Sequence, residues 1–553
     1  MSTALAKLQA DRERRGPLLW PGARRVLGLP DKREENIPDL TNTYAITDEY
    51  KLRPIQSQML HEISRCKGLV AAVGVGHGKT LPSFLAATAL GAKRPILLVP
   101  PALVKQTNNE LARFRKHFRI VPNLEVVSYG KLSVANGTTL LEEMQPDLII
   151  ADECHMLRHS SSARTKRVLR YFRKHPDTYF VALSGTLTSK SLKDYAHLVE
   201  LALRDKAPIP LDYPELVSWA ECIDVYGDPA MDDFGVIRPI IQAWGEGMEA
   251  TKSSARKAFQ NRFHSAPGVV ATTDQAVKCS LYIQLLDDLK MPPSIKHAVK
   301  ELERDWCTPG GEELEDAVAL ARHRRHLISG FYYSWDWGEG GPDYEWLEAR
   351  KNWHINVRRV LSNSREGRDS PLLVARWVMS GECRDLEILR AWEAWDGVRD
   401  RPLPPVDTNW IDTYLVDYLF HRALNNRKPL IVWTQYRAVL EALEEKGLPC
   451  FGAGTEPPED PITCAMSIKA HGTGRNLQGW AHNLLASFPP NGVAIEQLIG
   501  RTHRPGQDAD EVMVDFLLPH HSVKDDVEQA LMDSEYIEET QGNKTKLLSA
   551  TWI

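Results

Sequence analysis

Gly74-Val75-Gly76-His77-Gly78-Lys79-Thr80 has the composition of a loop that closes on phosphate. Glycines let successive backbone N–H groups face one anion, a lysine adds positive charge, and a threonine hydroxyl can reach a metal. The strict pattern has glycine five residues before Gly78; here that position is Val73, so the match is to a looser form. Lys79 would neutralise β- and γ-phosphate oxygens, and Thr80 would ligate Mg²⁺. Far along the chain, Gln497-Leu498-Ile499-Gly500-Arg501-Thr502-His503-Arg504 sets two arginines three residues apart with no acidic residue between them. On a helix they share one side, and a planar guanidinium fork suits charge spreading over a transferred phosphoryl. The bland alternatives are a glycine-rich turn that happens to end in Lys-Thr and an exposed basic helix.

A nucleotide site also needs an acidic residue at the end of a buried strand. Asp147-Leu148-Ile149-Ile150-Ala151-Asp152-Glu153-Cys154-His155 supplies it. Four apolar residues deliver Asp152 to the strand's carboxyl end, where it can hold the Mg²⁺ shell. Glu153 is placed to polarise an attacking water, and His155 to hydrogen-bond across to a neighbouring motif. The alternative is an acidic loop that merely caps a strand.

Such a site requires a parallel sheet. Short, near-continuous apolar runs at Gly68–Val73, Pro95–Val99, Leu124–Ser128, Asp147–Ala151 and Tyr179–Leu183, separated by helix-length segments, predict strands buried on both faces. The first lobe is therefore a doubly wound α/β domain with the phosphate loop after its first strand. Pro429–Thr434, Ile462–Ile468, Asn483–Ala486 and Val512–Leu517 repeat the pattern in a second lobe without a phosphate loop. The boundaries expected are an N-terminal arm over 1–45, lobe one over 46–205, a mainly helical, tryptophan-rich insertion over 206–425, lobe two over 426–535 and a tail over 536–553.

The D-E-C-H run resembles the D-E-x-H box of superfamily-two helicases, and its surroundings resemble the Swi/Snf-like branch of DNA translocases. Leu52-Arg53-Pro54-Ile55-Gln56 is similar to that branch's adenine-contacting segment, which places Gln56 on the base. Leu97–Gln106 and Val127-Ser128-Tyr129-Gly130 resemble motifs that face the DNA backbone. Ser184-Gly185-Thr186 matches the small motif linking hydrolysis to lobe movement, and His471-Gly472-Thr473-Gly474-Arg475-Asn476-Leu477 the glycine-rich motif of the second lobe. Gln497 through Gln507 resembles the arginine-bearing Q-x-x-G-R-x-x-R-x-G-Q element. The resemblance covers about 46–200 and 425–535. It implies two RecA-like lobes and ATP-dependent, three-prime-to-five-prime translocation on mainly double-stranded DNA, whether duplex, fork or branched. It makes Lys79, Asp152, Glu153, Gln497, Arg501 and Arg504 the catalytic set. Gln56, Gly74, Gly76, His77, Gly78 and Thr80 join Lys79 and the two arginines in holding ATP, and His155, Ser184, Thr186, Gly472 and Gly474 carry coupling. Three departures from the branch stand out: Val73, Arg475 where leucine is usual, and an insertion unlike the two-helix protrusions of chromatin remodellers.

The bulk numbers are permissive. With 553 residues the chain has room for two to four domains, and its net charge of −5 gives no global basic signature, though a motor needs only a local track. Eight scattered cysteines without a C-x-x-C pair argue against a zinc or disulfide framework and for a reducing cytosol. No apolar run is long enough to span a membrane, and the expected location is the cytoplasm of a bacterial or phage-infected cell. Ala321–His326 is basic and Gly330–Trp337 densely aromatic, which reads either as a single-strand grip or as an aromatic mini-core with a solvated helix face. Similar aromatic insertions occur in helicase-like proteins of bacteriophages and their hosts, which implies a replication, recombination or repair setting. Arg164–Lys174 is a basic tract that either tracks phosphates or is a solvated helix. Two other function classes remain: an ATP-gated DNA-binding scaffold, and the motor subunit of a nuclease or restriction system.

Overall fold

The computed structural model describes residues 20–32, 37–74, 76–188, 190–247, 249–272, 277, 279–363, 368–472, 475–489 and 491–553. They fall into two compact units, one within Met1–Ala276, Ser364–Leu373 and Met532–Thr545, the other within Val277–Asn363, Val374–Leu531 and Lys546–Ile553. Each unit is an α/β, RecA-like lobe built on a wholly parallel sheet.

The first sheet holds β1 (Leu69–Ala72), β2 (Pro95–Val99), β3 (Glu125–Ser128), β4 (Leu148–Asp152), β5 (Tyr179–Ser184) and β6 (Val269–Ala271), in the order β3-β2-β4-β5-β1-β6. All five apolar runs read from the sequence are strands. Alternation divides β1 between two cores: Val70 and Ala72 face one apolar layer, Leu69 and Ala71 the other. Val73, the departure at the head of the phosphate loop, is fully buried in the second layer with Leu81 and Phe84. Its bulk serves the core, which is why a larger residue is accommodated there.

The first unit draws on more chain than 46–205. Part of the 1–45 stretch is ordered: the helix Pro21–Gly28 buries Ala23 and Val26, and the Glu215 carboxylate accepts from the N–H groups of Gly22 and Ala23 at 2.8 and 2.9 Å. Helices Tyr213–Ile223 and Lys252–Ser265 pack around Trp219, Phe259 and Phe263. They lead into β6, a three-residue strand too short to stand out in the sequence.

The second sheet begins with β7 (Ser280–Leu286), also within the stretch read as insertion. After the antiparallel hairpin β8 (Phe331–Trp335) and β9 (Val406–Trp410) come β10 (Leu430–Thr434), β11 (Cys450–Phe451), β12 (Cys464–Ser467), β13 (His482–Leu485), β14 (Glu511–Leu517) and β15 (Thr551–Trp552). The sheet order is β11-β12-β10-β13-β14-β7-β15. β7 pairs along its whole length with β14, Ser280 against Glu511 to Leu286 against Leu517. The chain's end adds the edge strand β15 beside β7.

Two tracts change meaning. In the helix Ala163–Lys174, Arg167 is only 1% exposed and binds Asp369 and the carbonyls of Leu132 and Val134, while Arg170 binds Asp369, Glu142 and the Thr138 carbonyl. These arginines are core ion-pair members and neither track phosphates nor sit on a solvated face. In the aromatic stretch, Trp335 and Trp337 pack edge-on against Trp346 at 5.5 and 6.1 Å, and Trp346 meets Trp395 at 5.8 Å. That is the mini-core reading. Among the described residues, no helix is long and apolar enough to cross a membrane.

Candidate functional site

The glycine loop leaves the carboxyl end of β1 and enters the helix Thr80–Leu90, so that helix's N-terminal amides face the loop. Gly76 and Gly78 have φ of 90° and 77°, a region that L side chains rarely adopt. A Cβ on Gly78 would also stand 2.5 Å from Gln56 Nε2. The loop is braced by Arg53, Gln56 and Thr272. Arg53 Nη1 donates to Gly76 O at 2.7 Å, Gln56 Nε2 to Gly78 O at 2.8 Å, and Gly74 N to Thr272 Oγ1 at 2.9 Å. Gln56 also caps its own helix, its Oε1 accepting from Arg53 N at 2.9 Å. The residue expected on an adenine thus has its carboxamide on the loop backbone. Lys79 Nζ donates to Val73 O at 2.6 Å and Gly74 O at 3.2 Å.

Asp152 ends β4, two strands from β1. Burial, and then the neighbouring Glu153 charge, push its carboxyl up to about 7, with Lys79 pulling the other way. A carboxylate and a threonine hydroxyl are hard oxygen donors of the kind Mg²⁺ takes, and a cation at Asp152 would relieve the carboxylate crowding. Tyr129 is fully buried, and its hydroxyl donates to Asp152 O at 2.8 Å, so it supports the acidic turn from below. The Val127–Gly130 motif, read as facing a DNA backbone, sends this side chain under the Asp152–Glu153 turn.

Glu153 has φ of 53°, left-handed for a glutamate, a conformation that costs on the order of 1–2 kcal/mol and is concentrated at functional turns. The turn brings three side chains together. His155 Nδ1 lies 3.1 Å from Ser184 Oγ and 3.3 Å from Glu153 Oε2, and Ser184 Oγ lies 3.4 Å from Glu153 Oε2. The serine's single proton goes to Thr186 O at 2.6 Å, and Thr186 N donates back to Oγ at 3.2 Å. Oγ is then an acceptor for His155. His155, Ser184 and Thr186, far apart in sequence, form one hydrogen-bonded unit with Glu153.

In the second unit the helix Gly492–Thr502 ends before His503, so Arg501 sits in its last turn and Arg504 beyond it. The expectation that both ride one helical face is corrected. They converge instead by another route: Arg501 Nη1 and Arg504 Nη1 both donate to Arg475 O, at 3.2 and 3.3 Å, and Arg501 Nε donates to Gln497 O at 3.0 Å. The unusual Arg475 directs its side chain to Glu456 at 3.3 Å, so the arginine pair uses only its backbone. Gln507 holds the turn by donating to Thr502 O and Trp480 O. Gly472 is buried, and a Cβ there would lie 2.5 Å from Ile468 O; Gly474 lies outside the described residues.

A cavity of about 550 Å³ opens at the carboxyl ends of β10, β11 and β12. The insertion helix Ala317–Ile328 contributes Arg322, Arg325 and His326, and the second lobe adds Tyr436, Arg437 and Lys469. The basic run of the insertion therefore lines a cavity with second-lobe residues, while its aromatic neighbour Phe331 is buried. Residues missed from sequence are Thr272, Asp369, Gln541 and Asn543, none of which stands in a run or periodic pattern that marks it; Tyr129 stands in a motif, but one read as facing DNA.

Residues 49–189 match the family model described as Type III restriction enzyme, res subunit. No curated protein matches the chain significantly. The matched stretch carries the phosphate loop, the D-E-C-H box and the Ser184–Thr186 motif, and the match supports a helicase-like domain of superfamily two.

Proposed function

We propose that this protein is a motor that couples ATP hydrolysis to movement along mainly double-stranded DNA, in the manner of the Swi/Snf-like branch. The observation that carries the reading is the Glu153–His155–Ser184 unit at the carboxyl edge of the sheet that bears the Gly76–Thr80 loop. A general base joined through His155 to the serine that ends β5 can couple hydrolysis to a conformational change, which a passive nucleotide binder does not need. Lys79 takes the β- and γ-phosphates, Thr80 and Asp152 would hold Mg²⁺, and Glu153 orients the attacking water. The metal, when bound, screens the phosphate oxygens. Arg501 and Arg504, with Gln497 behind them, serve the γ-phosphate from the second lobe. DNA backbone contacts are assigned to the cationic cavity around Arg322, Arg437 and Lys469, whose charges can replace phosphate counterions. The aromatic insertion's resemblance supports work in replication, recombination or repair in a bacterial or phage-infected cell.

The deciding experiment is the ATPase rate with duplex, single-stranded, forked and RNA ligands, followed by triplex displacement. Strong stimulation by duplex DNA is expected. A rate indifferent to nucleic acid would return the protein to the class of ATP-gated scaffolds. The match to a restriction-enzyme subunit favours a second reading, the motor of a restriction system; co-purification with a nuclease subunit would select it.

A further inference from the structure

The turn after β5 is held by residues more than 350 positions away in the chain. Gln541 is fully buried; its Oε1 accepts from Leu187 N at 2.9 Å and its Nε2 donates to Thr188 O at 2.5 Å. Asn543 Nδ2 donates to Gly185 O at 2.8 Å. Two carboxamides thus satisfy three backbone groups of the Gly185–Thr188 turn, which follows Ser184 and whose Thr186 holds the Ser184 hydroxyl that faces His155.

The amides are themselves fixed. Gln541 O accepts from His264 Nε2 at 2.8 Å, and Glu538 Oε1 accepts from Thr545 N at 2.6 Å, folding the chain back through Gly542 at φ 72°. Gln541 is the last residue of the helix His521–Gln541, which begins four residues after β14. A buried N–H or C=O without a partner is costly, so the turn keeps this shape only while the amides are in place.

We propose that Gln541 and Asn543 are positioning residues for hydrolysis: by clamping Gly185–Thr188 they set Ser184 against His155 and Glu153. The inference rests on the reading of Glu153 as the hydrolytic base. Withdrawal of the Gln541 amide would release the turn that follows Ser184. Gln541 touches no reacting atom and acts through the turn alone.

The test uses the full chain with Gln541→Ala, Asn543→Ala and, as a control, Lys544→Ala at an exposed position of the same segment. Gln541→Ala is expected to lower kcat by about tenfold to hundredfold with ATP affinity unchanged, and to raise amide exchange at Leu187 at least tenfold; Lys544→Ala changes neither. In a Ser184→Ala background, Gln541→Ala adds little, because both act through one hydroxyl. Unchanged kcat despite an unprotected Leu187 amide would overturn the proposal, as would a full additional loss in the Ser184→Ala background. If Gln541→Ala does not fold, Asn543→Ala gives the same comparison through Gly185 O. Absence of ATPase in the wild type would instead refute the motor reading, and exchange at Leu187 would still report whether Gln541 holds the turn.

Discussion

Asp369→Asn separates a core arginine cluster from a phosphate track. Arg167 meets the Asp369 carboxylate through Nε at 3.2 Å and Nη2 at 2.7 Å, and Arg170 Nη1 reaches the second oxygen at 3.1 Å. Two guanidiniums share one buried carboxylate; Glu142, more exposed, assists only Arg170. Asparagine preserves the shape, removes the charge and turns one acceptor into a donor that faces a guanidinium. Breaking a buried ion pair costs about 3–5 kcal/mol. Arg167 Nη1 keeps Leu132 O at 2.7 Å, which places the expected loss near the lower end, about 3 kcal/mol. With a urea m-value of about 3 kcal/mol/M, the first unit's midpoint falls by about 1 M. Fluorescence reads this through Trp219, buried in that unit's core. Arg167→Met combined with Asp369→Leu removes one charge of each sign, leaves Arg170 paired with Glu142, and should restore part of the loss. A shift below about 0.5 kcal/mol, the level of ordinary surface substitutions, would refute the reasoning. So would normal stability with a selective loss of DNA-stimulated turnover, which would make the helix a DNA track.

Glu153→Gln should abolish turnover while a fluorescent ATP analogue still binds; Lys79→Ala should abolish turnover as well. Arg501→Ala and Arg504→Ala should each slow hydrolysis by about 10³-fold or more at nearly unchanged ATP affinity, and near-normal turnover in both would end the two-lobe model. Gly78→Ala should abolish nucleotide binding, because the new Cβ meets Gln56 Nε2 at 2.5 Å in a φ region alanine avoids; wild-type affinity would show that the loop relaxes. Burial pushes the His264 imidazole down to about 4, with Lys32 and Lys257 adding to the effect. The unfolded chain therefore takes up this proton first as pH falls below about 6.5. Stability from His264 is fully present above that pH and drains toward pH 4, by no more than about 3 kcal/mol. Thermal melts at pH 7 and pH 4.5 should differ less in His264→Gln than in the wild type, and an identical pH slope would count against the assignment.

The sequence was most legible where one physical demand acts alone. Strands buried on both faces are apolar along their length, so β1, β2, β4, β5 and β10 could be read directly, and β3, β12, β13 and β14 from the shorter apolar runs within them. Positive-φ glycines and the acidic strand end were equally plain, since few residue types meet those demands. Legibility failed where partners come from afar. Arg167 and Arg170 read as a basic tract because nothing local shows that Asp369 waits about 200 residues later. β6 and β7 were absorbed into a helical insertion because β6 has three residues and β7 carries polar Ser280 and Gln284. Gln541 and Asn543 are ordinary amides in an ordinary tail, and only the fold brings them to the Ser184 turn.

One regularity joins Lys79 and Arg504, assigned to phosphate, with Arg53, which braces the glycine loop. Lys79 rests on the carbonyls of Val73 and Gly74, Arg53 on that of Gly76, and Arg504 on that of Arg475. Had these cations been held by buried carboxylates, drawing one away would leave an uncompensated charge, at about 3–5 kcal/mol. A carbonyl is a neutral acceptor, and exchanging it gives up a net contribution of about 1 kcal/mol. A phosphate oxygen returns a charge-assisted bond, roughly twice as strong as a neutral one. The cations are thus kept in order without being trapped, and the difference favours the anion each time one arrives. The same reasoning separates them from Arg167, whose carboxylate partner makes it a fixture. Under the motor reading, this contrast separates Arg504, which rests on a carbonyl, from Arg167 and Arg170, which a carboxylate fixes in place.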